Sequence, residues 1–296
     1  MLSMDYSTTV RAHLILLLAL LGVPALAQER PLPEAEAFLG QVRQRLQTDE
    51  QRQSGYVYLE TRRDLKLDKS GKPTRETVRV SERYPRLPGE ARWSRLISEN
   101  GKPVPPAELD KQDRERQKKV LEYVRKLEKQ TDKDREEQAR ELEKERRESE
   151  ATVEDAFRVY DIRMLGREAI EGHDTIVFSL TPRRGVKPRT GEGKMLQHLA
   201  GKAWISESDY ELVRLEVEAL DTVSIGFGLF ARIHAGSRLA FQRRKVNGEE
   251  WLPASASYTV SARMMLLISV RVAAVSEFSD YRKFTVETET AYDRPK

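Results

Sequence analysis

The chain has 296 residues, with 52 Lys and Arg against 48 Asp and Glu, a formal net charge of +4 and no cysteine. This length gives one good-sized domain or two small ones, and the missing thiols exclude disulfides and a cysteine-linked lipid anchor within this sequence. So mild a positive balance does not argue for a nucleic-acid partner.

At the N-terminus, Arg11 precedes the apolar run Leu14 to Leu21, followed by Pro24 and Ala25-Leu26-Ala27. That is the order of a secretory signal peptide, residues 1–27, with cleavage expected after Ala27. The run is about half of the roughly 20 residues a membrane helix needs. The most apolar later stretch, Met264 to Val275, is interrupted by Arg271. The mature chain is expected to be periplasmic or secreted, with no stable membrane span.

Pro31 to Gln53 reads as a helix, because Phe38, Leu39, Val42 and Leu46 recur at spacings of three and four. The period then changes. Tyr56 to Leu67 and Thr74 to Tyr84 read as strands joined across Asp68 to Pro73, and a third is expected over Ala91 to Ser98, before Asn100-Gly101. Residues 28–104 thus read as one helix feeding a β-meander.

Residues 105–156 differ in kind. Pro105 to Glu150 is almost wholly charged or Gln, with opposite charges at helical spacing in Glu115/Lys119, Glu122/Lys126 and Glu143/Arg147. A long exposed helical insertion is expected, bent or broken near Gln130 to Asp134. Val120, Val124 and Leu127 give one short apolar stripe, too short for a coiled coil.

Strand signals resume from Phe157: Phe157 to Arg167 and His173 to Thr181 flank a Glu171-Gly172 turn. A basic connection, Pro182 to Leu199, follows, with a helical turn around Met195. Further strands are expected at Lys202 to Ser206, Glu211 to Leu220, Gly236 to Val246, Glu250 to Val260 running on into Met264 to Val275, and Ser279 to Glu287. Asn247-Gly248 marks a tight hairpin. In Glu211 to Leu220, Val213, Leu215, Val217 and Ala219 are expected on one strand face and Arg214, Glu216 and Glu218 on the other. About ten strands in sequence-adjacent hairpins indicate an α+β fold with an antiparallel sheet, residues 157–290 completing the domain begun by 28–104.

Catalytic constellations are hard to find. His173, His198 and His234 lack the spacing of a zinc helix, no G-x-S-x-G elbow occurs, and the Gly226 to Ala231 match to a dinucleotide pattern sits among antiparallel strands. No metal, no cofactor and no enzymatic activity are expected. The conspicuous features are apolar: Val223, Ile225, Phe227, Leu229, Phe230 and Ile233 in a glycine-containing connection, and Met264 to Ile268.

Gly201-Lys202-Ala203-Trp204-Ile205-Ser206, then Leu212-Val213-Arg214, then Trp251-Leu252-Pro253 resemble the motif progression of periplasmic outer-membrane lipoprotein-sorting proteins, the LolA-like and LolB-like superfamily. Ser206 stands where an Asp is common, and the charged helix is not a usual part of that fold. The resemblance implies a curved, half-open, barrel-like antiparallel sheet with capping helices around an apolar cavity for a lipid or the acyl chain of a lipidated protein. On that reading Trp204, Val213, Leu215, Val217, Phe227 and Leu229 line the cavity, together with Phe230, Phe241, Trp251, Met264 and Leu266. Arg183, Arg184 and Arg243 are expected at a rim facing anionic head groups. The alternative is an envelope protein-interaction or sensor module, its sheet filled by its own side chains and its charged helix in contact with a partner.

Overall fold

The computed structural model describes residues 30–46, 55–84, 93–225, 231–264 and 268–283. The expected signal segment, 1–27, lies outside them. The helices among these residues are α1 (Ala35–Leu46), α2 (Pro106–Glu128), α3 (Asp132–Val159) and the short α4 (Gly191–Leu196). The first strands are β1 (Tyr56–Leu67), β2 (Pro73–Arg83), β3 (Ser94–Glu99) and β4 (Lys102–Pro103). After the two long helices come β5 (Tyr160–Ile170), β6 (His173–Pro182), β7 (Leu199–Ser206), β8 (Leu212–Ala219), β9 (Val223–Ile225) and β10 (Ala231–Ile233). The chain then forms β11 (Arg238–Val246), β12 (Glu250–Met264) and β13 (Ile268–Lys283).

All the strands join one antiparallel, curved, open sheet in the order β4-β3-β2-β1-β13-β12-β11-β8-β7-β6-β5, with β10 on β12 and β9 on β10. Its hairpins close where the sequence supplies residues that tolerate positive φ. Asn247 and Gly248 take φ 53° and 72°, and Glu171 and Gly172 take 48° and 81°, as tight primed turns require.

β4 and β5 are consecutive in the chain yet lie at opposite ends of the strand order. The charged segment therefore carries the chain from one sheet edge to the other. It breaks at Lys129–Thr131, where Thr131 and Asp134 form a reciprocal capping box at the start of α3. α2 is tied to the first edge by Gln112, whose side-chain oxygen accepts from the Leu96 N–H at 2.8 Å and whose amide donates to the Leu96 carbonyl at 3.3 Å. The amide thus stands in for the neighbouring strand that an edge lacks. Asp113 pairs with Arg95 at 2.8 Å, and the Arg116 and Lys119 cations lie over the Tyr84 and Trp93 rings. Gln112→Ala is expected to cost about 1 kcal/mol and to speed amide hydrogen exchange at Leu96; unchanged exchange there would show that the contact does not protect the edge.

Several expectations need correction. α3 runs on to Val159, so Phe157 is helical and packs against the core, and β5 starts at Tyr160. Met264 to Val275 does not continue the preceding strand: β12 ends at Met264, and β13 runs back antiparallel from Ile268 through the separate strand expected at 279–287, as far as Lys283. The sequence does not mark this reversal, because Met264 to Ile268 contains no Gly, Pro, Asn or Asp. The short helix lies at Gly191–Leu196, slightly earlier than expected, with Thr190 as its N-cap. No helix among the described residues is long and apolar enough to cross a membrane.

Candidate functional site

α1 packs on one face of the sheet, here the inner face. Phe38 and Val42 meet Ile176, Phe178, Ala203 and Ile205, with Leu39, Leu46, Leu212 and Leu215 around them. The Phe38 ring stacks on Phe178 at 5.9 Å and tilts against Tyr210 at 5.2 Å. The apolar stripe of α1 is thus spent on β6 and β7.

Residues paired across neighbouring strands share a face, so the strand registers give the inner face row by row. One row crosses from β5 to β3 as Met164, Phe178, Ala203, Leu215, Phe241, Ala256, Ser276, Arg62, Arg79 and Glu99. The next runs Ile162, Leu180, Gly201, Val217, Leu239, Tyr258, Ala274, Asp64 and Thr77. Both are apolar from β5 through β12 and turn polar on reaching β13 or β1. Between the half covered by α1 and the polar half lies a band of Val217, Leu239, Phe241 and Tyr258. Leu239 in it is 45% exposed.

The polar half is internally paired. Arg62 donates to the Tyr258 hydroxyl and to Asp64, both at 2.9 Å, and Arg79 donates to Glu99 at 2.9 Å. Deeper, Glu60 is 6% exposed, accepting from Arg83 Nε at 2.6 Å and from the Ser276 hydroxyl at 2.8 Å. A buried carboxylate needs such partners. Tyr258 and Arg62 thus mark a sharp border between the apolar and the charged part of the inner face.

The expected ligand residues divide. Leu215, Val217 and Phe241 are on the inner face. Trp204, Val213 and Trp251 form a separate cluster with Ile170 and Val177. Val213 leaves the side of Leu215 because the β7–β8 register shifts between Trp204, which pairs Arg214, and Ile205, which pairs Leu212. One extra residue in a strand sends a side chain to the other face, which corrects the alternation read for 211–220. On that side the Trp204 indole donates to Glu168 at 2.7 Å, and that of Trp251 to Asp209 at 2.8 Å. Phe227, Leu229, Phe230 and Leu266 lie outside the described residues, and Met264 is placed by its backbone alone, opposite Ala231 and Ile268.

Arg243 is not at a rim: it is buried, lies over the Phe241 ring and faces the buried Glu211 at 3.8 Å. Arg183 and Arg184 are exposed on the connection after β6. A groove of about 620 Å³ runs elsewhere, along α3 from Ala139 to Ala151 and against Thr190, and touches none of the expected ligand residues.

Two carboxylates missed from sequence anchor loops around the sheet. Asp155, fully buried on α3, accepts from the Arg189 and Thr190 N–H groups at 2.7 Å and from the Thr190 hydroxyl at 2.9 Å. Burial opposes its ionisation, but these donors outweigh it and hold the carboxyl below the ordinary aspartate value. Asp209 is similarly held down: burial acts against it, and the Lys245 ammonium at 2.9 Å and the Trp251 indole prevail. The sequence signal for Asp155 was slight, because it follows Glu154 at the end of a charged helix and only Val153, Ala156 and Phe157 around it are apolar. Among the described residues no group of three or more His, Cys, Asp or Glu is arranged to hold a metal ion.

No protein-family model matches the chain, and no curated protein does. Among solved structures it is similar to an outer membrane lipoprotein-sorting protein domain from Vibrio parahaemolyticus at 12% identity and TM-score 0.34, covering 88% of this chain and 97% of that one. It is also similar to a LolA superfamily protein from Nitrosomonas europaea at 10% identity and TM-score 0.28, covering 89% and 99%. A Pseudomonas aeruginosa MucA/MucB complex aligns at 9% identity and TM-score 0.24, covering 85% and 100%. Likeness at this level carries no assignment of function.

Proposed function

We propose that this chain is an exported, non-catalytic binding protein that holds an apolar chain, a lipid or the acyl group of a lipidated protein, on the inner face of its sheet. The observation that carries this reading is the partly exposed apolar band between α1 and the charged half, in which Val217, Phe241 and Tyr258 are half-buried and Leu239 is 45% exposed. Each methylene removed from water there contributes about 0.8 kcal/mol, and the polar border would set which end of the ligand lies toward β1. Val217, Leu239, Phe241 and Tyr258 form the floor. Export rests on the signal-like sequence of residues 1–27.

Leu239→Arg places a charge on that floor at a position open enough to leave folding intact. It is expected to weaken binding of a fluorescent fatty-acyl probe by roughly thirtyfold, ~2 kcal/mol. Unaltered affinity in the variant would sink the reading.

A second reading is favoured by one observation: Phe38 and Val42 are 4% and 2% exposed, so α1 already fills the β6–β7 part of the inner face. The chain would then be an envelope interaction module, with α2 and α3 as its contact surface. Failure of the wild-type protein to take up any acyl probe distinguishes it.

A further inference from the structure

Gln112, Asp113 and Arg116, which tie α2 to the first sheet edge, are followed at spacings of three and four by Val120, Val124 and Leu127. That spacing keeps all of them along one side of the helix. The sheet takes only the first half of this side. Beyond Lys119, whose cation lies over Trp93, no hydrogen bond, ion pair or ring contact joins residues 120–128 to the sheet among the described residues. Val124 and Leu127 are 42% and 38% exposed, and Leu121 beside them is 56% exposed. A single exposed Leu is ordinary, but a row of them on one helix side marks a contact surface.

We infer that this stripe docks against the same stripe of a second copy of the chain, the two α2 helices running antiparallel about a two-fold axis at Val124. In such a pairing residue i meets residue j of the other copy and j meets i, so the surface must complement itself. With Val124 on the axis, Val120 meets the partner's Leu127, and Lys118 lies beside the partner's Glu128. Lys118 is 78% exposed with only Glu122 near it, at 3.9 Å, and Glu128 has no ion-pair partner among the described residues. Apolar thus meets apolar and base meets acid, whereas a parallel pair would set Lys118 against the partner's Lys118. The antiparallel pair also puts the two sheets at opposite ends, because each α2 is tied to its own sheet through its first half. A stripe this short falls well below the sustained heptads of a coiled coil, so the dimer is reversible and concentration-dependent. The contact is independent of what the inner face holds.

The absence of cysteine makes the whole protein suitable for a direct test. Val124→Cys places one thiol on the two-fold axis, and mild oxidation is expected to join it to its own copy. Glu122→Cys, about 200° round the helix from Val124, is expected to remain uncrosslinked. In sedimentation velocity, wild type is expected to pass from monomer to dimer as concentration rises. Val124→Glu, which sets two carboxylates face to face, should lose the dimer with an unchanged thermal midpoint, since Val124 is exposed. Mixing Val124→Glu with Val124→Lys should restore it. Wild type that stays monomeric throughout, whether or not another protein takes the stripe, would overturn the proposal. So would equal crosslinking of the two cysteine variants, or dimerisation of Val124→Glu at wild-type concentrations.

Discussion

Replacing Gly201 by alanine is expected to lower stability by about 3 kcal/mol, a fall in Tm of about 6–12 °C for a chain of this size. Gly201 pairs with Val217 in the middle of the inner face. A Cβ there would overlap the Glu216 carbonyl oxygen and lie 2.8 Å from the Glu216 carbonyl carbon and the Val217 Cα. These are backbone atoms of the neighbouring strand, so no rotamer change relieves the contact; β7 and β8 must separate. Glycine-to-alanine replacement also restricts the unfolded chain and contributes about 0.4–1 kcal/mol in the opposite direction, which the clash exceeds. Thermal unfolding decides it, and an unchanged midpoint would show that the two strands are not so close.

Asp155→Ala is expected to cost about 3 kcal/mol or more, because two backbone N–H groups and a hydroxyl lose their acceptor in a buried place. Gly193 shows how tightly the carboxylate is enclosed, since a Cβ there would overlap Asp155 Oδ2. The pH dependence gives a second readout. Donors hold the folded-state pKa below that of the unfolded chain, about 3.9, so between the two values the unfolded state binds more protons. The stabilisation is complete above the unfolded value and is lost as pH falls through the folded one. Asp155→Asn keeps an acceptor but does not titrate, so its stability should decline less steeply in acid. Parallel acid limbs for wild type and Asp155→Asn would contradict this role.

The fold was legible where side-chain period and turn chemistry agree. Tyr56 to Leu67 is a strand in the expected bounds, and Asn247-Gly248 closes the β11–β12 hairpin, because alternation and positive-φ residues are local properties. The break between α2 and α3 was expected near Gln130 to Asp134 and falls at Lys129–Thr131, where the structure adds the Thr131–Asp134 capping box. The binding face was legible only in part, because face assignment depends on strand pairing. Val213 parted from Leu215 through one register shift, and Arg243, expected at a rim facing head groups, is buried against Glu211. The route of α2 and α3 from one sheet edge to the other depends on strand order, which composition does not encode. The turn from apolar to charged along the inner face also needed the registers, since Leu215, Phe241, Ser276 and Arg62 become neighbours only in the folded sheet.

The inner face as a seat for an apolar chain is tested most directly by native mass spectrometry of protein purified gently from its envelope compartment, followed by organic extraction. The account predicts a co-purifying lipid or acylated peptide in stoichiometric amount, lost in Leu239→Arg. Protein that arrives empty and takes up no acyl probe would contradict it.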